Sequence, residues 1–393
     1  MPDTTEPAVA PGLAAFRTLR VVELGLWMAA PTAAALLADL GAEVIKVEPP
    51  NGDPSRGFNK AVGTGTGGTV MPTFAFDNRR KKSVQLDLTD PADYQRLEDL
   101  LAHADVLVTN MRLGTLRKLH LDGESVTARH SHIVYGSITA YGLNGPDAEV
   151  PGYDVGAFWA RSGLSHQLAG RSPLHAPGAY GDHITGLSMF AAIVAGLLER
   201  QTTGRGGVVE TSLLQTGAWV AGPDLAVQSA FGRVNAVAAR EEQFTPLVNS
   251  YQTSDGRWFF LTCVEADRHF PNLCRTIGRP ELVDDPRFVD AKSIRKNRRE
   301  LIEIFDAVFA ARTLESWATL FDESDVWWQL VRPPSEVLDD PQFEANGWLE
   351  DVETAPGVSL PMFTSPIKVF GARGSTPAKA PELGANNDDV LLQ

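Results

Sequence analysis

The chain has 393 residues, and 35 basic against 49 acidic side chains leave a formal charge of −14 at pH 7. Hydrophobic residues make up 43% and charged residues 21%, a globular composition that excludes disorder as the dominant state, and no triplet or heptad repeat is present. The acidic balance argues against nucleic acid as a partner, because phosphate backbones need a net basic face, yet it leaves room for an anionic small molecule in a local basic pocket.

Taken in chain order, Val21–Leu24 reads as a strand. Pro31 opens an Ala/Leu-rich helix that Gly41 closes, and Val44–Val47 gives the next strand. Further strands are expected at Ser83–Leu86, Val106–Val108 and Ile133–Tyr135, with a helix over Pro91–Ala102. This alternation of near-continuous apolar strands with helices predicts a parallel sheet covered on both faces, a Rossmann-like α/β large domain over residues 1–215. An apolar helix over Thr185–Arg200 and a strand at Val208–Glu210 close that domain. The longest apolar run, Ile184–Leu198, is too short to span a bilayer, and Met1–Glu6 lacks the basic and apolar regions of a secretory signal. The chain therefore reads as cytoplasmic, with no membrane partner.

Residues 216–245 read as a linker. A hairpin over Tyr251–Thr262, turning at Ser254-Asp255-Gly256, and helices near Phe270–Gly278 and across 295–321 make 246–332 a smaller α+β domain. Residues 333–393 read as a linker and a C-terminal segment returning to the large domain. Cys263 and Cys274, the two cysteines, fit no zinc spacing and are expected as free, buried thiols.

Among chemistry-bearing clusters, Gly63–Gly68 lacks the lysine and the setting of a phosphate loop and reads as a surface loop. His120, His130 and His132 are not at metal-ligand spacing, so no metal is expected. Arg79-Arg80-Lys81-Lys82 concentrates four cations before a strand. It is either a solvated basic edge or, with Asn78 and Ser83 as neutral donors, a site for a phosphate-rich ligand. Asp182, in Gly178–Gly186, precedes the long apolar helix. It is either a simple N-cap or a carboxylate kept ionised by the helix dipole, able to attack an activated acyl group that the flanking Gly181 lets approach.

Several segments together resemble one family. Val22-Glu23-Leu24, Ala30-Pro31, Leu37–Glu48, Gly52-Asp53, Asn78–Leu88, Asp105–Asn110, Gly152-Tyr153-Asp154, Tyr180-Gly181-Asp182, Thr203–Gly206 and Asp285–Phe288 with Asn297 and Glu300 occur in the order found in the class III CoA-transferases of the CaiB/BaiF type. The resemblance implies an interlocked homodimer that moves coenzyme A from an acyl-CoA to a small carboxylic acid, with CoA as substrate and product. It places Asp182 at the catalytic aspartate, which passes through an acyl anhydride and an aspartyl-CoA thioester, with backbone amides near Gly181 stabilising oxyanions. Tyr153 and Asp154 match the transferases' tyrosine–acid pair. The racemases of the superfamily carry a histidine at Tyr153, which makes 2-methylacyl-CoA racemisation the lesser alternative and a non-catalytic CoA-binding homologue a third. The resemblance also implies CoA contacts from Trp27, Met28, Lys81, Asn110 and Lys118, and on the phosphate-site reading of the basic cluster Asn78, Arg79 and Arg80 join them in holding the CoA phosphates. Met28 stands where the formyl-CoA enzymes have glutamine, which points to a larger or more apolar acyl group.

Overall fold

The computed structural model describes residues 12–61, 70–168, 174, 176, 178–233, 239–369 and 378–391; the glycine run at 63–68 lies outside them. The chain divides into two compact units, Met1–Val234 with Pro341–Gln393, and Asn235–Asp340.

In the larger unit, β1 (Arg20–Leu24), β2 (Glu43–Glu48), β3 (Lys82–Gln85), β4 (Val106–Thr109), β5 (Val134–Thr139) and β6 (Gly207–Ser212) form one sheet in the order β3-β2-β1-β4-β5-β6. Every neighbouring pair runs parallel. The inner strands β1, β2 and β4 are buried on both faces, which is why Val, Ile and Leu run through them almost without alternation, whereas β6 at the edge leaves Val208 and Glu210 exposed. Between β1 and β2 lies α1 (Ala29–Asp39), whose eleven residues are all buried. Its alanines let α4 (Tyr180–Thr203) approach closely: a methyl on Gly186 would come within 2.7 Å of the Thr32 Cβ and 2.9 Å of the Ala29 carbonyl. Between them in sequence, α2 (Pro72–Asn78) leads into β3, and α3 (Pro91–Ala102) starts on Asp90, whose carboxylate accepts from the N–H groups of Ala92 and Asp93.

Helix α4 is longer than the apolar run suggested. At 24 residues it is long and apolar enough to cross a membrane by length and composition, but it packs Met189 and Ile193 into the core of α1 and the sheet. The stretch expected as a linker is also corrected, since α5 (Leu213–Val220) and α6 (Gly222–Phe231) occupy much of it.

The smaller unit holds the antiparallel sheet β7 (Val248–Gln252), β8 (Trp258–Thr262) and β9 (Trp328–Leu330), with α7 (Ala266–Thr276), α8 (Arg298–Phe309) and α9 (Leu314–Asp322). Its core is aromatic, with Tyr251, Phe259, Phe305, Phe309, Trp317 and Phe321 in mutual contact. The Asp285–Phe288 segment is a structural clamp: Arg287 pairs with Asp285 and Glu300, and Asn297 donates to the Arg287 carbonyl. Cys263 and Cys274 are buried free thiols.

The tail, read from sequence as a linker and a returning segment, forms a hairpin, β10 (Leu349–Ala355) and β11 (Val358–Phe363). Asn386 and Asn387 then accept the N–H groups of Ser83 and Gln85, so the last described residues cap β3.

Candidate active site

The strand order reverses between β1 and β4, whose following chains leave in opposite directions. The crevice outside their carboxyl ends is where such sheets bind ligands. Here the two loops are tied together. Leu26 N–H donates to Asn110 Oδ1 at 2.9 Å and Asn110 Nδ2 donates back to the Leu26 carbonyl at 2.7 Å. The next residue, Trp27, has φ +63°, a left-handed conformation uncommon for a bulky side chain. Asp53 Oδ1 accepts its N–H at 3.1 Å and so holds it there.

Asp53 belongs to a buried network of three acids and three bases beneath this loop. Lys46 Nζ lies 2.7 Å from Glu23, 2.9 Å from Asp53 and 2.9 Å from the Gly25 carbonyl. Lys81 Nζ lies 2.7 Å from the other Glu23 oxygen and 2.9 Å from the Pro31 carbonyl. Glu48 pairs with Arg56 at 2.6 Å and accepts from Asp53 N–H and Ser83 Oγ. Burial opposes the Lys46 charge, but Glu23, Asp53 and Glu48 outweigh it and hold the ammonium well above its ordinary value. Burial, together with neighbouring Lys46, pushes Lys81 down to about 8 against the pull of Glu23. The Glu23, Lys46, Asp53 and Lys81 of the sequence motifs are thus the foundation on which Trp27 stands.

At the start of α4 the charges are not balanced. Ala179, at φ +75°, is the N-cap, so Asp182 is the third helical residue and not a cap. Asp154 accepts the Gly181 N–H at 3.3 Å. A methyl on Gly181 would overlap the Asp154 carboxylate and the Phe158 ring, so only glycine lets the helix start this close to the π-helical turn Val155–Ala160. Burial raises the Asp154 carboxyl against the pull of the Gly181 and Ala179 backbone. Burial, then Asp154 and Asp77, push Asp182 up to about 7, with His183 alone pulling the other way. His183 Nε2 lies 3.2 Å from Asp77, whose carboxylate also accepts from Thr32 Oγ1 at 2.8 Å. Burial opposes the imidazolium, but Asp77, Asp182 and Asp154 raise its pKa overall.

Asp182 faces a cavity of about 410 Å³ at the crevice, lined also by Trp27, Asn110, Arg112, Tyr153 and Leu213. Tyr153, 65% exposed, meets the Trp27 indole edge-on with ring centroids 6.2 Å apart. The structure therefore brings Trp27, Asn110, Tyr153 and Asp182 together. Met28 faces a different cavity.

Other expected positions are corrected. Asp154 and Gly181 are off the lining of the Asp182 cavity, and the Asp154 carboxylate accepts the Gly181 N–H, so that amide is already engaged. The start of a helix does not by itself keep Asp182 fully ionised near neutrality, because burial and then the charges of Asp154 and Asp77 raise its carboxyl to about 7. Three of the four clustered cations are inside the fold: Arg79 pairs with Asp39 at 2.5 Å, Arg80 with Asp39 and Glu350, and Lys81 with Glu23, while the half-exposed Lys82 pairs with Glu43. Asn78 donates to the Phe74 carbonyl and accepts from Lys81. None of these residues is on the cavity lining, and Arg79, Arg80 and Lys81 are committed to acids of the fold. Lys118 is exposed and outside the cavity lining. Arg112 was missed; its signal was its place two residues after Asn110, at the ligand-binding end of β4.

CoA-transferase family III matches residues 17–387. The chain is 30% identical over 377 residues to (R)-2-hydroxy-4-methylpentanoate CoA-transferase of Clostridioides difficile, covering 95% of this chain and 94% of that one. It is 31% identical over 382 residues to succinyl-CoA:glutarate CoA-transferase of Mus musculus, covering 95% and 85%. A crystal structure of a CAIB/BAIF family protein from Brucella suis superposes with a TM-score of 0.84 at 28% identity, covering 97% and 98%. A six-stranded parallel sheet with a carboxylate cluster at its switch point, matched along nearly the whole chain, places this protein in the class III CoA-transferase family, as an enzyme that transfers coenzyme A.

Proposed function

We propose that the chain moves CoA from an acyl-CoA to a carboxylic acid with Asp182 as the covalent nucleophile. The observation that carries this reading is the carboxylate of Asp182 on the cavity wall beside Trp27 and Tyr153, at a helix start opened by Gly181. The ionised Asp182 oxygen attacks the thioester carbonyl, the C–S bond breaks, and a mixed anhydride and CoA thiolate result. Thiolate attack at the aspartyl carbonyl releases the first acid and leaves an aspartyl-CoA thioester. The incoming carboxylate opens that thioester to a second anhydride, and thiolate attack at its acyl carbonyl frees the new acyl-CoA and restores Asp182. Arg112, the cation on the cavity lining, is the residue placed to meet the phosphates of CoA.

Racemisation needs two acid/base groups about one carbon. Among the described residues no imidazole lines the Asp182 cavity, and His183 is bonded to Asp77. We also propose a homodimer: Trp219 is 84% exposed and Phe231 74% exposed on α5 and α6, an apolar surface of the kind a second copy covers.

Hydroxylamine added during turnover of an acyl-CoA should convert Asp182 to its hydroxamate, read by peptide mass spectrometry. An unmodified Asp182 peptide under active turnover would count against the nucleophile.

A further inference from the structure

A second cavity, of about 540 Å³, lies beside the start of α4. Consecutive residues divide the two cavities: Trp27 and Asp182 line the first, and Met28 and His183 line the second. The second chamber is walled by Met28, Phe58, Phe76, Leu360, Met362 and Phe363, so the β10–β11 hairpin supplies one side of it. Its charged groups are Asp77 and His183. Asp77 is already engaged by Thr32 and by His183 Nε2, and the His183 ring lies against Phe76 with centroids 5.4 Å apart. Thr73 is the other polar side chain on its lining.

We propose that this chamber receives the side chain of the transferred acyl group, and that it selects apolar branched or aromatic acids over short acids and dicarboxylates. The proposal rests on the CoA-transferase reading, because the chamber matters through its adjacency to Asp182. An apolar side chain gains free energy in proportion to the area it buries against these walls. A second carboxylate would lose its hydration among phenyl and thioether groups, facing one imidazole that already shares its charge with Asp77. A short acyl group would leave the chamber unfilled.

Identity exchange tests this without knowledge of the natural acceptor. The purified full chain is given acetyl-, succinyl-, 4-methylpentanoyl- or 3-phenylpropanoyl-CoA, each with its own isotopically labelled free acid. The two apolar donors are expected to show kcat/KM at least ~10-fold above acetyl- and succinyl-CoA, about the discrimination that one to two buried methylenes supply. Leu360→Trp, which fills the chamber from the hairpin, should lower exchange of the apolar donors at least ~10-fold and that of acetyl-CoA less than ~3-fold, so acetyl exchange reports that the variant is folded. Leu360→Ala, a milder change at this half-buried position, should also lower the apolar donors by a larger factor than acetyl-CoA. Preference for succinyl-CoA, or equal losses for all donors in both variants, overturns the chamber's role while leaving the transferase reading intact. Exchange with none of the four donors overturns both.

Discussion

Two clusters of buried charge contact α1, one through the Pro31 carbonyl and the other through Thr32, and teach opposite lessons. Beneath the β1 loop, Glu23, Glu48 and Asp53 meet Lys46, Lys81 and Arg56, and their charges cancel in close ion pairs. At the start of α4, Asp77, Asp154 and Asp182 share one imidazole. The balanced set fixes a loop, including a tryptophan in a left-handed conformation. The unbalanced set leaves one carboxylate with its pKa near neutrality beside an open cavity. Such a carboxylate is costly to ionise and correspondingly reactive once ionised, as perturbed groups at functional sites are.

The largest break in that contrast is Asp182→Asn. Loss of the nucleophile should lower exchange by at least ~10³-fold, read by initial rates, with CoA binding retained. The same variant should be more stable than the wild type at pH 8. Folding raises the Asp182 carboxyl from its unfolded value of 3.8 to about 7, so the native state binds the proton more tightly and loses stability as pH rises through that window. The gain from Asn should be on the order of 1–4 kcal/mol at pH 8 and vanish near pH 4, in denaturant melts at the two pH values.

Next in size is Lys46→Met. It strips the balanced network of its central cation and leaves Glu23 and Asp53 short of a partner, so unfolding free energy should fall by about 3–5 kcal/mol. A merely surface-like effect below about 1 kcal/mol would show that the network does not brace the loop.

Asp154→Asn sharpens the comparison from the other side. Asn can still accept the Gly181 N–H, but it removes one of the charges that raise Asp182. The kcat/KM profile of the wild type should rise with pH through about 7 as Asp182 ionises, and the variant's limb should move to lower pH. An unmoved limb would mean that another group sets the profile. The smallest effect is expected from Lys118→Ala, an exposed residue outside the cavity, which should change kcat/KM for acyl-CoA less than about twofold, whereas Arg112→Ala should raise KM for acyl-CoA.

Much of the fold was legible because local pattern and tertiary role agree in this sheet. The helix read at Pro91–Ala102 is the helix found, started by Asp90, and the apolar strand runs mark β1, β2 and β4 to within a residue or two. The β10–β11 hairpin was hidden because its strands carry Glu350, Asp351, Glu353 and Pro361, and one face packs Val352 and Met362 on α2 rather than on a core of its own. At the site, the chain order of Trp27, Asn110, Tyr153 and Asp182 was readable through the family resemblance. The roles of the four cations at 79–82 were not, because their partners Asp39, Glu350, Glu23 and Glu43 lie far away in sequence. A run of charge shows its sign but not what neutralises it. The acidic cluster was equally invisible, since Asp77, Asp154 and Asp182 come from three separate segments.

The central claim is that Asp182 forms bonds to both acids in each cycle. Under that sequence the bridging oxygen of the second anhydride comes from the acceptor acid and stays on the enzyme. Turnover with an acceptor labelled with oxygen-18 in its carboxylate should therefore place heavy oxygen in the Asp182 side chain, located by fragmentation of its peptide. An unlabelled Asp182 after many turnovers, with new acyl-CoA formed, would contradict the account.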